Sequence, residues 1–581
     1  MDALVRGLGG QRLETTELQS YAARAPVAGW RLEVNFSDRV RRIDVLVDAG
    51  FPRTEPRVAL VDRPEFLAWT HVEQDGVLCL LTSASEISPQ NPAGVVSVLL
   101  GEASDLVEDL LAGRLDGDFE TEFLSYWDWS ASEGAPPVRS LVSPRGPTRK
   151  IRLWRGKDFY LVADCDADLQ AWLDAINSAT DGKHNFEDAI LLWRDRPPRP
   201  PYPETGADLQ ALCGAEDAAL IREVAGAQAD RLLALIGART ANGAALGALF
   251  LKPQAGSTRG GGPRPARLQK GFRPGHAPPE VVGQRLLAGA IALRSSVQRV
   301  DPAWVHGRDQ DARQAVLGKA RVTFLGCGSL GAPVAIMLAQ AGVGQMRLVD
   351  PDVMTSGIIG RHPLGAKQLR QAKASALKGR IQQALPHISV DAYPVHWQDL
   401  APETDVFDCD LIVAAIGGWS AEGALNAEQL TRASVPPIVY GWTEAHACAG
   451  QAVLVGRGGG CLQCGLDAHG RALLPVTRWP EASAVFQEPA CGAVFQPYGA
   501  VELTNTVTLV ASLALEALLG EVEPGAHRIW IGPERSLLRL GGAWSPAWAA
   551  LGVATPTGGG VHERSWAVRE DCWQCQRRAV T

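Results

Sequence analysis

Apolar positions along the chain change their period several times, and the changes mark out its elements. The clearest stretch is 321–352, RVTFLGCGSLGAPVAIMLAQAGVGQMRLVDPD. Val322, Phe324 and Leu325 predict a short buried strand, and Gly326, Gly328 and Gly331 follow at the spacing G-x-G-x-x-G. A helix then runs to Gly342, and 345–349 make a second strand that ends on Asp350 and Asp352. Upstream, strands are expected at 30–36 and 42–47 and a helix over 95–112. The middle of the chain predicts strands across 150–162, a helix at 167–176 and a helical patch over 216–236. Downstream come a sheet strand and turn at 408–418, two more strands within 436–456, and a long helix from 500 to 519.

The βαβ pattern at 321–352 carries chemistry. Two glycines allow a tight turn and let backbone N–H groups approach phosphate, and the third lets helix pack closely on strand. Phosphate sits at the positive N-terminus of that helix. Asp350 ends the second strand, where a carboxylate accepts ribose hydroxyls. These features imply a nucleotide without fixing its chemistry, so a dinucleotide oxidoreductase stays open at this point.

Composition narrows the classes. A length of 581 residues implies two to four domains, and 46% hydrophobic content supports globular folding. With 64 acidic against 56 basic side chains the net charge is -8, so no broad basic surface points to nucleic acid. No uncharged apolar run reaches membrane-spanning length and the first residues lack a secretory core, so no membrane partner and a cytoplasmic location are expected. RPPRPPYP at 196–203 marks a rigid boundary, and GSTRGGGPRPAR at 256–267 is poor in core formers. Cys461-x-x-Cys464 and Cys572-x-x-Cys575 together supply four thiolates at zinc-chelating spacing. Redox pairs are the alternative, but nothing around CLQC or CWQC suggests a thioredoxin helix start.

The run RHPLGAKQLRQAKASALKGRIQQALPHISV at 361–390, placed after the acidic pair, resembles the ThiF/MoeB superfamily, the fold of ubiquitin-activating enzymes. The resemblance implies an ATP- and Mg2+-dependent adenylation domain in which a protein's C-terminal carboxylate attacks the α-phosphate. Arg361 and Lys373 match the family's phosphate-contacting cations, which offset the repulsion between the two anions. Asp352 is the remaining candidate for the metal ion. Zinc at the four cysteines also fits the family, and Cys491, on the loop before the 500–519 helix, matches its thioester-forming cysteine. A nicotinamide dehydrogenase would not be expected to combine such a zinc with Arg361-His362 and Lys373. The chain departs from the family pattern at Ile358, where the family has Asn, and at Gly417, where it has a magnesium-binding Asp. Both departures keep a nucleotide-gated, non-enzymatic scaffold in view.

Near the N-terminus, Phe51-Pro52 with Glu55-Pro56-Arg57-Val58 resembles the proline-rich turn of ubiquitin-conjugating enzymes, with Glu55 replacing one proline. HVEQDGVLCLL at 71–81 is similar to their catalytic stretch and implies Cys79 as a second thioester cysteine. Glu73 stands where those enzymes have an oxyanion Asn, and His71 reads as a packing residue that supports the loop. The aromatics of FETEFLSYWDWS at 119–130 are expected in the core.

Most of the chain, about 1–135 and 290–581, resembles the bacterial fusions of conjugating and activating enzymes found in type II CBASS anti-phage operons. The expected fold is α/β: an α+β conjugating-like domain at 1–135, a mixed linker domain at 136–290, and a Rossmann-like adenylation domain with a zinc site at 291–581. The resemblance implies a homodimer that activates a cGAS/DncV-like nucleotidyltransferase, or alternatively a bacterial ubiquitin-like protein, and joins it to a target amine.

Overall fold

Partial alternation of burial along the first strands produces a four-stranded antiparallel meander: β1 (Gln11–Arg12), β2 (Ala28–Asn35), β3 (Val40–Val47) and β4 (Arg57–Leu60), in that order. The computed structural model describes all residues except 1, 81–87, 177–183, 229–230, 254–267, 274–275, 402–403, 433–434, 481–484, 488–493, 555–556 and 579–581. These divide into two compact units, Met1–Leu169 with Lys183–Val300, and Gln170–Gly182 with Asp301–Thr581.

In the first unit α1 (Pro92–Leu111) covers the meander. Pro92 opens the helix and Asn91 caps it, its side chain accepting from the Gly94 N–H at 3.0 Å. Leu99, Ala103, Val107 and Leu110 recur at helical spacing and bury against Ile43, Val58 and Leu60, and against Val72 and Leu78 of the loop that leads to Cys79. Two short helices follow, α2 (Asp118–Thr121) and α3 (Phe123–Trp129). Their Phe119, Phe123, Tyr126 and Trp127 are core residues, as the sequence suggested, packed with Ile190, Tyr202 and Leu249.

Ile190 and Leu249 belong to a second, eight-stranded sheet. Its strands are β5 (Val138–Ser140), β6 (Arg149–Arg155), β7 (Tyr160–Ala163), β8 (Phe186–Arg194), β9 (Leu232–Thr240), β10 (Gly243–Pro253), β11 (Ala290–Ser295) and β12 (Val297–Arg299). They run in the order β11-β10-β9-β8-β6-β7-β5-β12. One expectation is corrected here. The helical patch at 216–236 is a helix, α4 (Ala215–Gln228), followed by β9. Positions 232–238 are buried without a break, so the run has no period to read, and only the pairing of β9 with β8 and β10 decides its state.

The second unit holds the expected doubly wound sheet. Its strands are β13 (Arg321–Leu325), β14 (Gln345–Val349), β15 (Ser389–Tyr393), β16 (Leu411–Ala414), β17 (Ile438–Thr443), β18 (Ala449–Val455), β19 (Ala526–Ile531) and β20 (Gly560–Ser565). The spatial order is β15-β14-β13-β16-β17-β18-β19-β20, parallel through the first five and antiparallel beyond. Helices α5 (Gly331–Gln340), α6 (Lys373–Ala384) and α7 (Trp419–Thr431) follow β13, β14 and β16. Strands β13 and β16 are apolar and almost wholly buried, as central parallel strands covered on both faces must be.

Helix α8 (Ala500–Leu519) is long and apolar enough to cross a bilayer, yet Leu503, Val507, Val510 and Ala514 line one face that buries in the core of this unit. The approach depends on small residues in the sheet: at Gly450 of β18 an added Cβ would stand 2.0 Å from Thr506 Oγ1. Gly450→Val should therefore destabilise this unit by about 1–3 kcal/mol, the usual range for overpacking. Thermal melting of the full chain checks this, and an unchanged midpoint would contradict the packing described.

Candidate active site

The first five strands of the second unit follow the order 3-2-1-4-5 in their own sequence, so the winding reverses between β13 and β16. Ligands of such sheets bind outside the carboxyl ends of the strands at this reversal. The glycine turn after β13 lies there. Gly326 has φ +94 and its missing Cβ would be 2.5 Å from the Ala415 carbonyl, so only glycine fits between the two strand ends. An added Cβ at Gly328 would meet nothing within 4 Å, and Gly331 opens α5. A cavity of about 590 Å³ is lined by Gly326, Gly328, Asp350, Asp352 and Lys373, with Trp397 also in its wall.

Hydrogen bonds fix this wall. Asp350 is 5% exposed, and its two carboxylate oxygens accept from the Cys327 N–H at 2.6 Å and the Asp352 N–H at 2.7 Å. Each oxygen keeps capacity for a further donor such as a hydroxyl. Lys373, the first residue of α6, is buried, and its Nζ donates to Asp352 Oδ2 at 2.8 Å. The Asp352 side chain remains 66% exposed, so a cation could share it. His362 supports the turn from below: its Nε2 lies 2.9 Å from the Cys327 carbonyl and its Nδ1 accepts from the Leu364 N–H at 3.1 Å. Burial holds its pKa below the usual imidazole value, which keeps it the neutral donor that this pairing needs.

Arg361 does not line the cavity. Its guanidinium lies over the Tyr498 ring, 4.8 Å from the centroid, on the segment just before α8. Ile358 packs against the apolar core, which gives a structural reason for an apolar side chain there. Gly417 has φ +74, and its N–H donates to Glu422 Oε1 at 3.0 Å. Burial raises the Glu422 pKa. The sequence reading named His362 only as the neighbour of Arg361 and passed over Glu422, whose only signal was an acid in the first turn of a helix after the glycines.

Cys491 lies outside the described residues. Cys327 and Cys448 are buried and Cys409 is half-buried, and burial pushes all three thiols up, Cys448 to about 11. Cys79 is exposed. Its N–H donates to the His71 carbonyl at 2.9 Å. In the His71 ring, Nε2 is 2.9 Å from Asp118 Oδ2 and Nδ1 is 3.7 Å from Glu122 Oε2. The His71 N–H donates to the Tyr126 hydroxyl at 3.2 Å, and that hydroxyl donates to Glu122 at 3.1 Å. His71 has a left-handed backbone, φ 56, in which the ring meets both partners. It is a packing residue, as expected, and its ring faces two carboxylates.

The four cysteine sulfurs of Cys461, Cys464, Cys572 and Cys575 lie within 4.8 Å of one another, with Cys461–Cys572 at 3.7 Å and Cys464–Cys575 at 3.4 Å. Sulfurs bound tetrahedrally at about 2.3 Å from zinc would be about 3.8 Å apart, so the donor set fits that ion. The cluster is braced by Trp566 Nε1, which donates to the Cys461 carbonyl at 2.9 Å.

Residues 305–524 match the ThiF family and residues 6–135 match prokaryotic E2 family B. The chain thus joins an E2-like domain to a ThiF-family adenylation domain, the architecture of a fused E1/E2-like enzyme. It is similar to the ATP-dependent ubiquitin transferase-like protein Cap2 of Pseudomonas aeruginosa (strain BWHPSA011 / Pa011), 25% identical over 242 residues, 41% of this chain and 43% of that protein. It is similar also to the adenylyltransferase and sulfurtransferase MOCS3 of Mus musculus, 35% identical over 119 residues, 20% of this chain and 25% of that protein. The matches span less than half the length of these curated relatives. Among solved structures, E. coli MccB with MccA-N7isoASN is 19% identical at a TM-score of 0.32, covering 45% of this chain and 69% of that one.

The site near Cys79 has a pH signature. The nearby Cys79 foremost, then Asp118 and Glu122, raise the His71 pKa from 6.5 to about 9 against the opposing effect of burial. A proton held more tightly in the folded state stabilises that state fully below pH 6.5, and the gain disappears as pH rises through about 9. Thermal stability measured across this window should fall in the wild type and fall less in His71→Gln.

Proposed function

We propose that the chain activates the C-terminal carboxylate of a partner protein with ATP and passes it through two thioesters to an amine. The carboxylate attacks the α-phosphate in the Gly326 cavity, forming an acyl-adenylate and releasing pyrophosphate. The Cys491 thiolate displaces AMP, the Cys79 thiolate takes the acyl group from Cys491, and a target amine takes it from Cys79. The mixed anhydride and the two thioesters preserve the activation at each transfer. The observation that carries this reading is the glycine turn at the strand-order reversal with Lys373 and Asp352 in one cavity, in a chain that also presents an exposed Cys79 on an E2-like domain.

Lys373 offsets the charge that develops on the α-phosphate, Asp352 is the side chain for Mg2+, and Asp350 receives the ribose hydroxyls. Arg361 acts from the Tyr498 side of the site. In this reading 1–135 is the conjugating domain, 136–290 a linker domain and 291–581 the activating domain of a cytoplasmic homodimer. The substrate is a cGAS/DncV-like nucleotidyltransferase in anti-phage defence, with a ubiquitin-like protein as the alternative. A bound zinc ion supplies a structural crosslink between the C-terminal residues and the sheet.

Metal analysis of the purified chain should give about one zinc per chain for a four-thiolate site. Cys572→Ser with Cys575→Ser should release the metal and lower the melting temperature. Retention of zinc in that variant would place the ion elsewhere.

The relay is tested by incubating the chain with ATP, Mg2+ and the product of its neighbouring gene and running non-reducing gels. A reductant-sensitive adduct should persist in Cys79→Ala and vanish in Cys491→Ala. Lys373→Ala should slow pyrophosphate release by about 100-fold, the scale set by loss of one preorganised charge donor. ATP binding without pyrophosphate release or adduct in the wild type would favour a nucleotide-gated scaffold, the reading that Ile358 and Gly417 motivate.

A further inference from the structure

A cavity of about 720 Å³ lies in the first unit, where segments 65–74 and 116–131 meet residues 199–204 and Arg294 of β11. Its wall is aromatic at Phe66, Phe119, Trp129 and Tyr202. Its acids are Glu65, Asp116 and Glu204, all exposed, and none of these carboxylates has a partner among the described residues. Of the two cations in the wall, Arg199 is committed to Glu120 at 2.7 Å. Arg294 is held by backbone carbonyls, its Nε donating to Ser130 at 3.0 Å and its Nη1 to Pro203 at 3.2 Å. Three carboxylates therefore face one unmatched guanidinium, and the cavity carries an excess of negative charge.

Exposed acids alone mark nothing, and the second observation is Tyr202. It is 4% exposed, and its hydroxyl is buried without a hydrogen-bond partner among the described residues. A buried hydroxyl ordinarily has one, so this group is left for a visiting acceptor. Arg294 shares the wall, and its Nη2 has no partner among the described residues either. A phenol and a guanidinium N–H are donors that a main-chain carbonyl accepts. Leu67, in the same wall, is held at φ 67, a backbone that a branched side chain adopts only where its surroundings enforce it.

The cavity is built partly on the connection between β4 and α1 that carries Cys79. Glu65, Phe66, Leu67, Ala68 and Gln74 belong to it, as does His71, whose carbonyl accepts from the Cys79 N–H. Asp116 and Phe119 flank Asp118, which bonds to the His71 ring. We infer that this groove receives a basic, extended segment of the protein whose amine is acylated. Lysine or arginine side chains of that segment meet Glu65, Asp116 and Glu204, an apolar side chain lies on Trp129 and Phe119, and a main-chain carbonyl accepts from Tyr202 and Arg294. The inference rests on the reading of Cys79 as acyl donor to an amine. Such an amine arrives as an ammonium ion, and a cleft of negative excess concentrates segments rich in cations. An acidic segment is turned away by the same charges.

The first test requires neither ATP nor a charged cysteine. Two labelled synthetic peptides of equal length are titrated with the full-length chain, one carrying lysines and arginines around a leucine and the other glutamates in their place. The wild type should bind the basic peptide at least about tenfold more tightly, and that affinity should fall as salt is raised. Neutralising the rim with Glu65→Gln, Asp116→Asn and Glu204→Gln should weaken it about tenfold, the scale of three exposed ion pairs together. Equal binding of both peptides, or wild-type affinity in the triple variant, would overturn the inference. Tyr202→Phe removes only the hydroxyl and should weaken the basic peptide about fivefold, the worth of one hydrogen bond. The melting temperature of that variant should equal or exceed that of the wild type, because no bond within the chain is lost. A lower one would show the hydroxyl already partnered and overturn its part in the site.

A second arm ties the groove to acyl transfer. Preformed Cys79 thioester is discharged onto the basic peptide or onto free lysine, each at low concentration. The ratio of peptide to lysine discharge should fall about tenfold in the triple variant, matching the loss of binding, and an unchanged ratio would overturn the docking role. Failure of Cys79 to charge at all, with peptide binding as expected, would refute the thioester relay while leaving the groove as a site for basic segments. Sedimentation of the same proteins tests the other occupant. A wild-type dimer that the triple variant breaks and the peptide displaces would assign the groove to a second copy of the chain and overturn the inference.

Discussion

Asp350 is a polar group held almost out of water, and such a group is tolerated only where donors surround it. Its two oxygens take the N–H groups of Cys327 and Asp352, one from the glycine turn and one from the acidic loop. That single carboxylate therefore sets the distance between two strand-end loops. Asp352 is returned across the cavity to Lys373, and the Cys327 carbonyl is turned toward His362. The positive φ at Gly326 and the neutral state of His362 are the local conditions for this arrangement. The wall of this cavity is thus held by hydrogen bonds within the chain itself.

Much of this was legible because it is local in sequence. Glycine spacing, strand, helix and acid lie within 321–352, and Lys373 follows at a spacing that a family resemblance can check. The cysteine pairs were legible for another reason: each knuckle is local, and only the joining of two knuckles is long-range. What escaped is chemistry assembled by tertiary packing. His71 and Asp118 are 47 positions apart, and no period links them. Arg361 reads as a phosphate ligand from its neighbours, yet stands over Tyr498, a residue 137 positions downstream (498 − 361). Strand β9 was misread because unbroken burial erases the pattern from which helix and strand are told apart.

The two candidate sites differ in how they manage charge. In the Gly326 cavity, phosphates must approach two carboxylates, and the protein meets this by committing Asp350 to backbone donors and Asp352 to Lys373. Near Cys79 two carboxylates, Asp118 and Glu122, face the His71 imidazole, a group that, unlike a lysine, changes charge near neutral pH.

The four-cysteine cluster bears on the nucleotide cavity through one helix. Helix α7 begins at Trp419, and its Ser420 and Ala421 line the cavity. Asn426, in the same helix and fully buried, accepts from the Leu462 N–H at 2.8 Å and donates to Gln574, so it is bonded to the residue after Cys461 and to the residue between Cys572 and Cys575. A helix is stiff along its axis, so fixing Asn426 fixes the first turn, where Glu422 holds Gly417. The family's metal-binding carboxylate is missing at Gly417, and this turn must keep its shape without a metal–ligand bond. The cluster at the far end of the same helix provides that constraint, which makes the C-terminal cysteines part of the structure of the nucleotide site although none of them touches it.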